Sequence, residues 1–115
     1  MIKFVVPGRP VPAVRMTQRG KYVKDRAQLY INYKNHIAWV ARTKIKNPII
    51  GPVIIKIKVF VRGKGGDWDN YAKSVCDGLN KIAYKDDSQI RKGEVEIISC
   101  GKDEQRVEIE IEEVA

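Results

Sequence analysis

The stretch Val53 to Arg62, Val-Ile-Ile-Lys-Ile-Lys-Val-Phe-Val-Arg, restricts the fold more than any other part of the chain. Ile55, Ile57, Val59 and Val61 alternate with Lys56 and Lys58, so an extended backbone sends apolar side chains to one face and charge to the other. The strand ends at Gly63-Lys64-Gly65-Gly66, and the period then changes. Ala72, Val75, Cys76, Leu79 and Ala83 recur at helical spacing. A half-buried strand thus runs through a glycine loop straight into an amphipathic helix.

The flanking sequence supplies the other elements. Ile2 to Val6 is a short apolar strand stopped by Pro7-Gly8. The prolines of Arg9-Pro10-Val11-Pro12 exclude helix there, because each fixes φ and extends its predecessor. Asp25 is placed to cap a helix over Arg26 to Thr43, with Leu29, Tyr33, Ile37, Val40 and Ala41 as its buried stripe and Tyr30, His36 and Trp39 at the borders. Ile90 to Cys100 and Gln105 to Val114 are expected to form a hairpin about Gly101-Lys102-Asp103-Glu104. In its last strand Val107, Ile109 and Ile111 point inward, and Glu108, Glu110 and Glu112 outward. The order β-α-β-α-β-β predicts one α+β domain over residues 1–115, a mixed sheet with both helices packed on one face.

Charge separates the chain into halves. Residues 1–65 hold 15 Lys and Arg against one acid, Asp25, whereas residues 66–115 hold 7 against 13, within a net charge of +8. A basic half of this purity implies a polyanionic partner, and nucleic acid is the expected one. Arg9, Arg15, Arg19, Lys21 and Lys24 fall in a proline-stiffened loop suited to clamping phosphates. No apolar run reaches the length of a membrane span and no signal peptide precedes the first strand, so the expectation is a cytoplasmic protein with no membrane partner. Cys76, Cys100 and the single His36 have no zinc spacing, and both thiols are expected to be reduced and mostly buried.

The acids after the glycine loop are the chemical centre. Asp67 and Asp69 flank Trp68, either acid can serve as N-cap, and Asp86-Asp87 follows about twenty positions later. Asp69, Lys73 and Asp77 are each four apart and share one helix face. Gathered carboxylates repel unless a cation or proton joins them, and Mg²⁺ takes oxygen ligands of this kind. A calcium loop does not fit: counted from Asp67, its fifth and twelfth places hold Tyr71 and Gly78.

Asp67-x-Asp69-Asn70-x-x-Lys73, Asp77-Gly78-Leu79 and Asp86-Asp87-x-Gln89-Ile90 together resemble the signature of RusA-type Holliday-junction resolvases. Those are small, dimeric, Mg²⁺-dependent endonucleases that nick four-way DNA junctions during recombination and repair. The resemblance implies catalytic roles for Asp67, Asp69, Lys73 and Asp87. Asp67, Asp69 and Asp87, helped by Asp86, would hold Mg²⁺, with Mn²⁺ as a substitute. Lys73 would face the scissile phosphate, Asn70 would support the loop, and Asp77 would pair with Lys73. It further implies a homodimer acting on branched DNA, without a small-molecule cofactor. The departures are one residue fewer before the acidic pair than in some relatives, and Trp68 where an aliphatic residue is commoner; neither removes a charge. A non-catalytic nucleic-acid-binding module, or a nuclease for other branched DNA, would share the basic half.

Overall fold

A computed structural model describes residues 1–14 and 25–114 of the chain. Its strands are β1 (Ile2–Pro7), β2 (Val53–Val61), β3 (Ile90–Ser99) and β4 (Arg106–Glu113), in one sheet of order β1-β4-β2-β3. β2 runs antiparallel to β4, with Lys56 opposite Glu110 and Lys58 opposite Glu108, and parallel to β3, with Ile57 beside Val95 and Val59 beside Ile97. β1 closes the other side, antiparallel to β4. The α+β architecture and the element order are those the sequence predicts.

The expected hairpin between the last two strands is not formed. β2 lies between them, and the Lys102–Glu104 segment is a short 3₁₀ turn leading from β3 at the edge to β4 in the interior. The reason lies in the two strands' side chains. β4 carries an unbroken apolar face, Val107, Ile109 and Ile111, all fully buried. β3 carries Arg91, Lys92, Gly93, Glu94 and Glu96 and is largely exposed, which suits a strand with a neighbour on one side only. Arriving from a helical crossover, β3 joins β2 in parallel, the connection that such a crossover permits.

Two helices cover the apolar face of the sheet, α1 (Asp25–Lys44) and α2 (Trp68–Leu79). Ile55, Ile57 and Val59 of β2 meet Ile37 and Val40 of α1 and Val75 and Leu79 of α2 in a single core with Phe4, Val6 and the β4 residues. Each such side chain fully buried contributes about 1.5–3 kcal/mol. α1 begins at Asp25 and carries Arg42 and Lys44 in its last turn, charges that complement its dipole at both ends. Its stripe differs from expectation in one place: Tyr30 is 2% exposed and Leu29 is 57% exposed. At about 100° per residue, Tyr30 lies about 20° from the direction of Ile37 and Leu29 about 80° away.

α2 also turns a slightly different face inward. Its buried residues are Tyr71, Ser74, Val75, Gly78 and Leu79, with Ala72 and Cys76 only half-buried. Two polar contacts set this rotation: Ser74 Oγ donates to the Val11 carbonyl at 2.7 Å, and Tyr71 Oη accepts from the Gly66 N–H at 2.8 Å. Gly78 sets how closely α2 approaches α1, because a Cβ there would stand 2.8 Å from Cβ and Cγ2 of Ile37. Cys76 and Cys100 are both free. Among the described residues no helix is long and apolar enough to cross a membrane.

Candidate active site

The loop from β2 delivers two carboxylates to the start of α2. Gly65 has φ +69°, and a Cβ at that position would lie 3.0 Å from both Tyr71 Oη and Val61 Cγ1, so the turn over the Tyr71 hydroxyl requires glycine. Asp67 occupies the N-cap position through its backbone: its carbonyl accepts from the N–H groups of Asn70 (3.1 Å) and Tyr71 (3.2 Å), while its side chain makes no capping bond. Its carboxylate is therefore available. Asp69 stands exposed in the first turn, where the positive end of the helix dipole favours an anion. Between them Trp68 is 54% exposed, and its indole N–H donates to the Val95 carbonyl on β3 at 2.7 Å. Asn70 contributes its backbone carbonyl, which accepts from the Ala13 N–H at 2.9 Å and fixes the proline segment to α2.

Lys73 stands exposed one turn further on, and among the described residues it has no ion-pair partner. The expected pairing of Asp77 with Lys73 is replaced by another contact. Asp77 accepts a hydrogen bond from the hydroxyl of Tyr30, which the close crossing of α1 and α2 at Gly78 brings within reach. Sequence reasoning left Tyr30 at the border of its helix. The available signal was that a buried tyrosine hydroxyl needs a partner.

The second acidic pair lies at this C-terminal end of α2. Asp86 caps a short 3₁₀ turn, Asp87–Gln89: its carboxylate accepts from the Ser88 N–H at 2.9 Å, and those bonds hold it below the ordinary carboxylate range. Gln89 closes the reciprocal half of the box and donates to the carbonyls of Ile49 (2.7 Å) and Gly51 (2.9 Å), tying the turn to the segment before β2. Asp87 follows the cap and is pushed above its ordinary range, first by partial burial and then by the charge of Asp77, with the Tyr84 hydroxyl opposing. Tyr84 is itself buried and donates to the Cys76 carbonyl at 3.2 Å. Tyr30, Tyr84 and Gln89 thus position the acids at this end.

Along α2 the acids fall into two groups. Asp69 and Asp77 are eight residues apart, about 12 Å of helix axis, and Asp67 lies farther still. Among the described residues no three Asp, Glu, His or Cys side chains come together closely enough to hold a metal ion. Within one chain, then, Asp67 and Asp69 stand at one end, Asp77 and Asp87 at the other, and the acids do not form a single ion-binding set.

Arg9 is exposed, and its guanidinium donates to Gln105 Oε1 (2.7 Å) and the Arg62 carbonyl (3.3 Å), which fixes it at the end of the sheet. It lines a cleft of about 490 Å³ with Arg26, Leu29, Pro12 and Tyr71, beside the glycine loop. Arg15, Arg19, Lys21 and Lys24 lie outside the described residues. His36 contacts the Pro7 carbonyl through its ring nitrogen at 3.3 Å, a structural position. On the sheet face turned away from the helices charges of both signs interleave: Lys56 and Lys58 stand between Glu94 and Glu96 on β3 and Glu108 and Glu110 on β4, and Lys3, Lys92 and Arg106 pair with Glu110, Glu94 and Glu108. The cations of that face are thus matched by carboxylates, whereas Arg9 and Arg26 beside the cleft have no ion-pair partner among the described residues.

Two comparisons bear on this arrangement. The chain is similar to the uncharacterized protein YqaN of Bacillus subtilis (strain 168), 33% identical in an alignment that covers 99% of this chain and 97% of that one. The profile of the family described as endodeoxyribonuclease RusA matches residues 7–112, a span that takes in the glycine loop, all of α2 and the Asp86-Asp87 turn. With its acids carried on the glycine loop, the helix that follows it and the turn before β3, all inside the matched span, the chain belongs to the RusA endodeoxyribonuclease family.

Proposed function

We propose that this protein is a divalent-metal-dependent endodeoxyribonuclease that binds four-way DNA junctions and resolves them by paired nicks. The observation that carries the reading is the unneutralised row on α2. Asp69 and Lys73 stand exposed on one helix face, with Asp77 on the same face and Asp67 at the helix start, and all lie within the span matched by the nuclease family. Exposed acids with no structural partner, placed beside an unpaired lysine, are poorly explained as fold-stabilising groups.

Each group then has a physical task. Arg9 and Arg26, at the cleft beside the glycine loop, meet the phosphate backbone, while the cations of the open sheet face are already matched by carboxylates. Lys73 places a positive charge where the scissile phosphate gains negative charge in the transition state. Mg²⁺, or Mn²⁺ in its place, is the hard cation that the carboxylates suit. Asp67, Asp69 and Asp87 are its proposed ligands; because Asp87 stands at the other end of α2 from the first two, the three meet on one ion only across the proposed homodimer, and Asp86, already engaged as a cap, serves the turn that presents Asp87. A homodimer supplies two sites to a two-fold substrate.

The test is cleavage of a labelled four-way junction beside linear duplex of the same sequence, with Mg²⁺ and with EDTA. Junction-specific nicks that require the ion are expected, and Lys73→Ala should lose most cleavage while still binding. Tight binding with no cleavage under any ion would reduce the protein to a binding module. Equal cleavage of flaps or forks would move the substrate to another branched DNA.

A further inference from the structure

We infer that the cleft beside the glycine loop is a nucleotide pocket: it takes one unstacked nucleotide of the branched DNA, next to the scissile phosphate, with the base between its apolar walls and the adjoining phosphates on Arg9 and Arg26. The inference rests on the nuclease reading above for its ligand, but its geometry comes from three features of the fold.

The first is that the walls are fixed in place. The proline segment is tied to α2 by two bonds, Ser74 Oγ to the Val11 carbonyl (2.7 Å) and the Ala13 N–H to the Asn70 carbonyl (2.9 Å). The glycine loop lies directly on that segment: a Cβ at Gly66 would stand 2.8 Å from Pro12 Cγ and 2.9 Å from its Cβ. Arg9 is held as firmly. Gln105 Oε1 accepts from its guanidinium (2.7 Å) and from the Arg62 N–H (3.0 Å), and the Gln105 amide donates to the Lys102 carbonyl (3.2 Å). An exposed arginine anchored in this way has less freedom to lose when it binds.

The second is the chemistry of the lining. At about 490 Å³ the cleft falls within the usual range of small-molecule pockets, about 300–1,000 Å³. Two arginines stand in its lining and no acid does; the rest is proline, valine, leucine, glycine and tyrosine. Leu29, an apolar residue near the start of α1, is left 57% exposed there. A fully stacked duplex offers phosphates to Arg9 and Arg26 but leaves the apolar walls uncovered. An apolar peptide side chain covers the walls and brings the arginines no anion. A single nucleotide does both: its planar base lies against the walls and the guanidinium planes, and its phosphates meet the same two cations.

The third is position. Gly66 lines the cleft and Asp67 follows it directly, so the pocket opens about one Cα step, ~3.8 Å, from the first acid of the candidate active site. A phosphate held at that acid leaves its neighbouring nucleotide within reach of the cleft. Branched DNA makes this entry easier than linear duplex does, because extruding a base costs least where it is mismatched or already single-stranded.

The test places 2-aminopurine, whose fluorescence rises when it leaves the base stack, at each position in turn about the branch point of a four-way junction, with EDTA to hold off cleavage. Wild type should raise the signal at one position, within two nucleotides of the nick that Mg²⁺ produces, and at none in linear duplex. Leu29→Glu sets a carboxylate in the cleft at an exposed helical position, and Arg9→Ala removes the anchored cation. Both variants should remain folded by circular dichroism, and both should abolish the rise. A mismatch at the same position lowers the opening cost, so wild type should bind that junction about tenfold tighter than the matched one, and Leu29→Glu should gain nothing from it. A merely structural role for Leu29 would weaken binding to both junctions alike. No rise at any position, as a cleft closed by the protein's own residues or contacting phosphate alone would give, overturns the inference. So does a rise remote from the nick, a rise that both variants keep, or a mismatch gain that Leu29→Glu retains. Tight binding of a free deoxynucleoside monophosphate without DNA would make the cleft a small-molecule site and equally overturn it. A wild type that nicks junctions with no rise loses the pocket and keeps the nuclease reading. A wild type that nicks no DNA, yet gives a rise that Leu29→Glu abolishes, loses the nuclease reading and keeps the pocket.

Discussion

Gly78→Ala isolates the contact on which the position of α2 depends. Replacing glycine by alanine normally favours a helix by at most about 1 kcal/mol, and less here, because Gly78 is the penultimate residue of α2. Against that gain, the new methyl would lie 2.8 Å from Cβ and Cγ2 of Ile37 and 3.2 Å from the Lys34 carbonyl oxygen. Carbon atoms in good contact sit about 3.5–4.0 Å apart. The obstructing atoms belong to a β-branched residue with no solvent exposure and to helix backbone, so no flexible side-chain end can swing aside. Overpacking of this kind costs about 1–3 kcal/mol, and the rigid surroundings place it in the upper half of that range. The net expectation is a loss of about 1–2 kcal/mol, which for a domain of this size lowers Tm by roughly 4–8 °C. Urea titration should show a lower midpoint with an unchanged slope. Adding Ile37→Ala removes the clashing Cγ2, so the double variant should lose less than the two single losses added together. A Gly78→Ala protein as stable as the wild type or more so would refute the close crossing of α1 and α2.

Three further outcomes follow from individual contacts. Tyr30→Phe removes the donor to Asp77 and should cost about 1.5–2 kcal/mol in urea unfolding, whereas Tyr33→Phe removes a buried hydroxyl with no partner among the described residues and should leave stability unchanged or slightly raised. Equal effects of the two changes would contradict that contrast. Asp87 is raised by burial and by Asp77, so the folded state holds its proton more tightly than the unfolded state, and the stability this provides at low pH is lost as pH rises through the folded value. Without divalent ions, Asp87→Asn should therefore be more stable than wild type at neutral pH, with the gap closing below the carboxylate range; a gap that widened on acidification would reverse the sign. The Cys76 thiol is pushed up to about 11, chiefly by burial, so native protein at pH 8 should label slowly there with a thiol reagent and quickly in urea, read by mass spectrometry of the Cys76 peptide.

Much of this fold is legible in the sequence, because periodicity is a local property. The alternation of Ile55, Ile57 and Val59 with two lysines is repeated in the burial of β2, and Val107, Ile109 and Ile111 turn inward as their spacing requires. The second helix begins directly after Gly66 and Asp67 and the first ends at Lys44 among its terminal cations, whereas the second stops at Leu79, short of Ala83, the last position of its apolar spacing. The charge asymmetry and the run of acids likewise need only the order of residues. What tertiary structure alone decided are relations between segments distant in sequence. Whether β3 pairs with β4 or with β2 depends on which strand has the better inner face, a comparison that no local window makes. The partner of the buried Tyr30 hydroxyl is Asp77, forty-seven residues away, which no local window supplies. The acids that read as one cluster along the chain are split in space, since the twelve-residue helix between them is rigid and its rise separates what sequence proximity seems to join.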